Sequence, residues 1–234
     1  DDYWISTNKL QTQFDFLEDN PNVYACYHNV LTVNEFYEIN LNSPYNVMGS
    51  KMYSLRTDFE KSLFGQTASS FSRNYYKRFQ SDSKLKNAYF SLNANGDVRR
   101  SLLQILSGNV YRMGSIYAVH RKITTHGDSW SARVQRNPIK NASVKQYVFL
   151  KQKIKFAKDY FKIELNDHII YRHLVSSKLR LILKLNFSEL NKLKNVQEEI
   201  LISKPFLITK YLLSLPFRYL YSKFIFFIKK ALNF

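Results

Sequence analysis

The chain has 234 residues, of which 45% are hydrophobic and 16% aromatic, enough for one or two domains and a sizeable core. Its single cysteine, Cys26, excludes an intrachain disulfide framework and a cysteine-built zinc site, and suits a reducing compartment. The net charge of +17 is uneven: residues 141–234 carry 18 basic and 6 acidic side chains, net +12, which leaves +5 for residues 1–140. A basic tail on a modestly charged body predicts an anionic partner for the tail, either a membrane surface or nucleic acid.

Asp1-Asp2-Tyr3-Trp4 opens the chain, and Ser6-Thr7-Asn8 follows before apolar positions at 10, 14 and 17. Polar capping residues ahead of that spacing predict a helix. Two adjacent carboxylates before a helix suit either a solvated turn or, at a strand end, a hard divalent cation held through oxygen. Val23 to Val33 reads as a buried strand. Asn34 to Gln66 has no clear period and reads as a long connection. Gly65 to Arg73 alternates small hydroxyl residues with apolar ones, the pattern of an exposed strand.

Asn95-Gly96-Asp97-Val98 precedes an apolar run at Leu102, Leu103, Ile105 and Leu106. It predicts a helix with Asp97 as N-cap and Gly96 in the turn. Val110 to Arg121 reads as a strand, and His120 and His126 lie at and beyond its end. A domain boundary falls in the polar stretch 131–140, which contains Asn137-Pro138. Residues 144–161, 168–184 and 190–202 show helical spacing with lysine-rich outer faces. The segment 205–234 is very apolar, but Lys210, Arg218 and Lys223 interrupt it and Pro216 kinks it. It lacks the roughly 18–20 uninterrupted apolar residues of a spanning helix. Lys210, Ser214, Arg218 and Ser222 form a polar stripe, as in a helix lying in a membrane interface; the alternative is a core helix.

"DDYW", a short spacer, "KLQTQFDFLEDNPNV" and "YACYHNV" resemble the middle of a bacterial family-two glycosyltransferase of the GT-A fold. The resemblance covers roughly residues 1–135. It implies an α/β fold, with residues 1–135 as the C-terminal part of a GT-A domain and residues 141–234 as a basic, helical, membrane-associating region. In the family an acidic residue and a glycine precede the Asp pair. By that alignment Asp1 ends a D-x-D motif begun upstream, and the fragment alone would be inactive.

The same resemblance implies metal-dependent, inverting transfer of a sugar from a nucleotide-diphosphate donor to an acceptor hydroxyl. Asp1, Asp2 and His126 would bind Mg2+ or Mn2+ and the donor diphosphate. Asp97 would be the catalytic base, matching the family's Gly-Asp at the start of this helix. Val119-His120-Arg121 resembles the family's Val-Tyr-Arg, and Thr125-His126-Gly127 its later His-Gly. His120 and His126 therefore compete for one role, and the following glycine favours His126. Gln66-Thr67-Ala68-Ser69 matches a "HTSS" segment near the donor sugar, with Gln66 where histidine is usual. A glycan or lipid-linked acceptor, a role in surface polysaccharide or glycolipid assembly, and a cytoplasmic, peripheral place on the inner face of the cell membrane complete what the resemblance implies. The competing classes are a basic nucleic-acid-binding module and a non-catalytic membrane-surface scaffold. No specific nucleic acid is expected, because the tail's aromatics sit in apolar runs rather than among arginines.

Residues 205–234 are predicted to bind anionic bilayers in the interface plane. Each of Lys204, Lys210, Arg218, Lys223, Lys229 and Lys230 that reaches the surface adds about 1 kcal/mol. Salt should weaken binding without abolishing it, since apolar burial is not screened. In co-sedimentation with phosphatidylglycerol vesicles, removing 205–234 from the full-length protein should sharply reduce the bound fraction. Equal sedimentation of both forms would assign the segment to a core instead.

Overall fold

Two runs rich in β-branched and aromatic residues, Val23–Val33 and Asn109–Arg121, form the long strands of a mixed sheet. The computed structural model describes residues 2–40, 43, 49–73, 76–123, 132 and 142–165. In chain order the elements are β1 (Asp2–Trp4), α1 (Lys9–Asp19), β2 (Val23–Val33), β3 (Lys51–Tyr53) and α2 (Leu55–Asp58). A 3-10 turn (Thr67–Ser69), β4 (Phe71–Ser72), α3 (Tyr76–Ser81), α4 (Ser83–Ser91), α5 (Gly96–Ser107), β5 (Asn109–Arg121) and α6 (Ala142–Phe161) follow. The class is mixed α/β. Residues up to Lys140, with Lys155–Ile163, form one compact unit, and Asn141–Ile154 begins a second.

β5 is the central strand. One edge pairs with β2, parallel, from Asn109 opposite Val23 to Arg121 opposite Val33. The other edge pairs twice, both antiparallel: Val110–Arg112 with β3 and Ala118–His120 with β1. β4 pairs antiparallel with the far edge of β2, at Ala25 and Cys26. Between β3 and β1 the β2–β5 register shifts, with Tyr27 opposite Arg112 but Asn29 opposite Ile116. The extra residues bend the strand and curl the sheet. Asn29 satisfies the displaced backbone there, its Nδ2 donating to the Gly114 carbonyl at 2.9 Å.

Each face of the sheet carries its own apolar cluster. On the α5 side lie Ala25, Tyr27, Tyr53, Phe64, Ile105 and Val110. On the α1 side Leu17, Val23, Cys26 and Met113 pack with Phe16, Phe71, Tyr111 and Tyr117, and the Phe16 and Tyr111 rings stack at 4.5 Å.

Four expectations change. The stretch Asp2–Trp4, expected to follow a strand, is itself an edge strand on β5. α1 is rotated from the face that its sequence predicts: Leu17 is buried, but Leu10 and Phe14 are 44% and 49% exposed, whereas Lys9 and Gln13 are 2% and 0% exposed. The reason is polar. Lys9 Nζ donates to the Ala68 carbonyl at 2.9 Å, and Gln13 Nε2 donates to the Ser69 carbonyl at 2.8 Å and the Cys26 carbonyl at 3.3 Å. Those buried acceptors cost more unpaired than two exposed apolar side chains do. Thirdly, Gly65–Arg73 is no exposed strand. It enters the 3-10 turn with Ser69 fully buried, and only Phe71–Ser72 pairs. Lastly, Asp97 is not the N-cap of α5. Asn95 is, its Oδ1 accepting from Val98 N at 3.0 Å, so Asp97 lies in the first turn.

α6 matches the helical spacing read at 144–161 and buries Tyr147, Leu150, Lys153 and Ala157. Burial lowers the Lys153 ammonium to about 8. Among the described residues no helix is long and apolar enough to cross a membrane. Residues 168–184, 190–202 and 205–234 lie outside them.

Gly65 is where the turn meets the sheet. A Cβ there would stand 2.7 Å from Tyr27 Cδ1 and 3.1 Å from its Cβ and Cγ. Tyr27 has no room to yield, because its hydroxyl donates to Gln104 Oε1 at 2.6 Å and its ring lies edge-on to Phe64. Gly65→Ala should therefore destabilise the protein by about 1–3 kcal/mol, read as a lower urea midpoint. An unchanged midpoint would show that the turn shifts freely.

Candidate functional site

The antiparallel pairing of β1 with β5 sets Asp2 opposite His120. Their side chains meet, with His120 Nδ1 2.6 Å from Asp2 Oδ1. The second carboxylate oxygen, Oδ2, accepts from Gln66 Nε2 at 3.1 Å. The same Nε2 lies 3.4 Å from His120 Nδ1. Residues 2, 66 and 120 thus share one cluster although more than fifty positions separate each from the next. The His120 hydrogen bond, first of all, holds the Asp2 carboxyl below its ordinary range, against the opposing effect of burial.

The 3-10 turn delivers Gln66. Its Oε1 accepts from Ala68 N at 2.5 Å, and the Ser69 hydroxyl donates to the Gln66 carbonyl at 2.6 Å. From the α1 side, Lys9 and Gln13 hold the turn by the Ala68 and Ser69 carbonyls. The Lys9 ammonium also lies 3.9 Å above the Trp4 ring, and burial lowers its pKa. From the α5 side, Gln104 accepts from Tyr27 and donates from Nε2 to Ser70 Oγ at 3.0 Å. Ser101 Oγ, one turn earlier, lies 3.4 Å from the Tyr27 hydroxyl.

Asp97 is placed elsewhere on this scaffold. It is half-exposed and accepts from Arg100 NH2 at 2.9 Å, and none of its bonds reaches Asp2, Gln66 or His120. Asp1 and His126 lie outside the described residues. Sequence reasoning favoured His126; the histidine found on Asp2 is His120. The signal for it was the β1–β5 register, which no local pattern reveals. Lys9 and Gln13 were missed because polar side chains are not expected inside: Gln13 lies on the same helical face as Leu10, Phe14 and Leu17, and Lys9 at its edge. Cys26, in contrast, is no nucleophile: burial pushes its thiol up to about 12, and it donates to the Gln13 carbonyl.

A divalent cation was expected here. Among the described residues no three His, Cys, Asp or Glu side chains gather as a metal cage. What is present is one carboxylate, one imidazole and one amide. The imidazole, backed by the carboxylate, suits a cation that takes its remaining ligands from phosphate oxygens and water, and the nitrogen donor favours Mn2+ over Mg2+; the Gln66 amide adds no ligand, its oxygen accepting from Ala68 N and its NH2 facing Asp2. Comparison with family models, curated proteins and solved structures returns no match for this chain.

His28, mid-strand in β2, was also missed. It is fully buried, with Nδ1 2.7 Å from the Asn29 carbonyl and its ring edge-on to Tyr117. Nε2 has no hydrogen-bond partner. Burial lowers its pKa from 6.5 to about 4. The folded protein therefore keeps His28 neutral, while the unfolded chain takes up a proton. Stability is full above the unfolded value and is lost as the pH falls through that window, by about 2 kcal/mol at pH 5. His28→Phe should remove most of this loss, seen as a smaller shift in urea midpoint between pH 7 and pH 5. The same shift in both proteins would place the pH sensitivity at another group.

Proposed function

We propose that this chain carries part of an inverting, metal-dependent glycosyltransferase of the GT-A fold. It would move a sugar from a nucleotide-diphosphate donor to an acceptor hydroxyl in bacterial surface polysaccharide or glycolipid assembly. The supporting observation is the meeting of Asp2, Gln66 and His120 within hydrogen-bond distance. The family resemblance draws on all three segments, the Asp pair, the Gln66–Ser69 segment and the strand ending Val119-His120-Arg121, and it sets the first two beside the donor.

In this reading His120 takes the histidine role and, with Asp1, would hold Mn2+ or Mg2+, while Asp2 orients its imidazole. The cation would supply Lewis-acid stabilisation to the leaving diphosphate. Asp97 is the base for the acceptor hydroxyl. Arg100 fixes its carboxylate in one direction, and the first turn of α5 leaves it half-exposed where an acceptor can approach. Displacement from the face opposite the diphosphate inverts the anomeric centre. The basic tail would keep the enzyme on the inner face of the membrane, at a lipid-linked acceptor.

Asp97→Asn in the full-length enzyme should lower turnover by about 10²–10⁴ while donor binding persists. Turnover within threefold of wild type would leave Asp97 a first-turn residue only. Asp2→Asn and His120→Ala should each weaken Mn2+-dependent nucleotide-diphosphate binding in calorimetry, and His126→Ala less. The reverse order for the two histidines would move the site into the loop beyond β5.

A further inference from the structure

Gln66 is the unexpected member of the cluster, and its geometry is over-determined. Oε1 takes the Ala68 N–H of the same turn, so the amide cannot flip without losing that bond. Its NH2 end must then face Asp2, where it donates to Oδ2 at 3.1 Å. The remaining oxygen, Oδ1, stands 2.6 Å from His120 Nδ1. A carboxylate bonded at both oxygens from two elements has no freedom to rotate. An ionised carboxylate accepts hydrogen bonds only, so the short contact requires the proton on Nδ1. Gln66 Nε2, at 3.4 Å, is too distant to compete for that nitrogen.

We propose that Gln66 is a positioning residue: by pinning the Asp2 carboxylate it locks His120 in the Nδ1–H tautomer and leaves Nε2 as the electron-pair donor of the site. Asp2 then acts on a bound cation from behind the imidazole, as the carboxylates that orient metal-binding histidines do. The inference deepens the transferase reading and rests on it for the cation; the tautomer stands on the hydrogen bonds alone.

Nitrogen-15 histidine labelling of the full-length protein tests it, with the His120 ring assigned by its loss in His120→Gln. Long-range proton–nitrogen spectra near neutral pH should show a single Nδ1–H tautomer in the wild type. Gln66→Met keeps the volume and removes the donor; a tautomer mixture and about tenfold weaker Mn2+ binding should result. Asp2→Asn gives an independent outcome. Gln66 then claims the one remaining carbonyl oxygen, the new amide turns its NH2 to Nδ1, and the ring proton moves to Nε2. A wild-type proton on Nε2 overturns the proposal. So does a Gln66→Met protein with unchanged tautomer and Mn2+ affinity, or an Asp2→Asn protein that keeps Nδ1–H. A locked tautomer without nucleotide-diphosphate binding would retain this inference and remove the transferase reading. Sugar transfer with an unlocked tautomer would do the opposite.

Discussion

The parallel pairing of β2 with β5 is the constraint on which the rest depends. Some eighty residues separate the partners, so their closure carries a large part of the chain's conformational cost before it returns any contact. Once formed, it gives both faces of the sheet something to pack on. It also leaves the outer edge of β5 for β3 at one end and β1 at the other. The register shift around Asn29 lies between those two, so the strand can curl where neither is attached. Asp2 meets His120 only because β1 docks on the end of β5 that β2 has already fixed.

The second organising feature is polar. The turn at 66–70 crosses the edge of the core with a half-buried carbonyl at Ala68 and a buried one at Ser69. Lys9 and Gln13 supply their donors from one side, while Gln104 and Tyr27 secure Ser70 from the other. Satisfying the Ala68, Ser69 and Cys26 carbonyls together offsets leaving two apolar side chains half-exposed, so α1 exposes Leu10 and Phe14. The reward is a rigid turn, and a rigid turn is what fixes Gln66. Buried amides of α1 and α5 thus support a cluster that neither helix touches directly.

Electrostatics divides the ionisable groups into two kinds. Cys26, His28 and Lys9 are shifted by burial away from their charged forms, as packed interior groups are. Asp2 is shifted toward its charged form by a specific hydrogen bond, while still partly open to solvent. In the proposed reading this carboxylate, beside an imidazole at a sheet end, would orient the histidine toward a cation and its phosphate ligands. The buried groups cannot take part without leaving the core.

Local pattern determined much of the chain by itself. The β-branched and aromatic run Val23–Val33 matches its strand end to end, the apolar periods place α5, β5 and α6, and α1 starts directly after Asn8, although the Asn8 side chain makes no cap hydrogen bond. These depend on propensity, side-chain period and capping, all of which act within a few residues. The candidate site was legible in part: Asp2, Gln66 and His120 were all noticed, while His126, preferred for the histidine role, lies outside the described residues. The meeting of His120 with Asp2, the inward turn of Lys9 and Gln13 and the strand at Asp2–Trp4 were decided by tertiary structure alone. Even the cap of α5 went to Asn95 rather than Asp97, a choice of backbone geometry within three residues. Where a side chain meets a partner fifty or more positions away, strand register and the demand for hydrogen bonds in the interior decide the outcome, and neither is written in the spacing of the residues themselves.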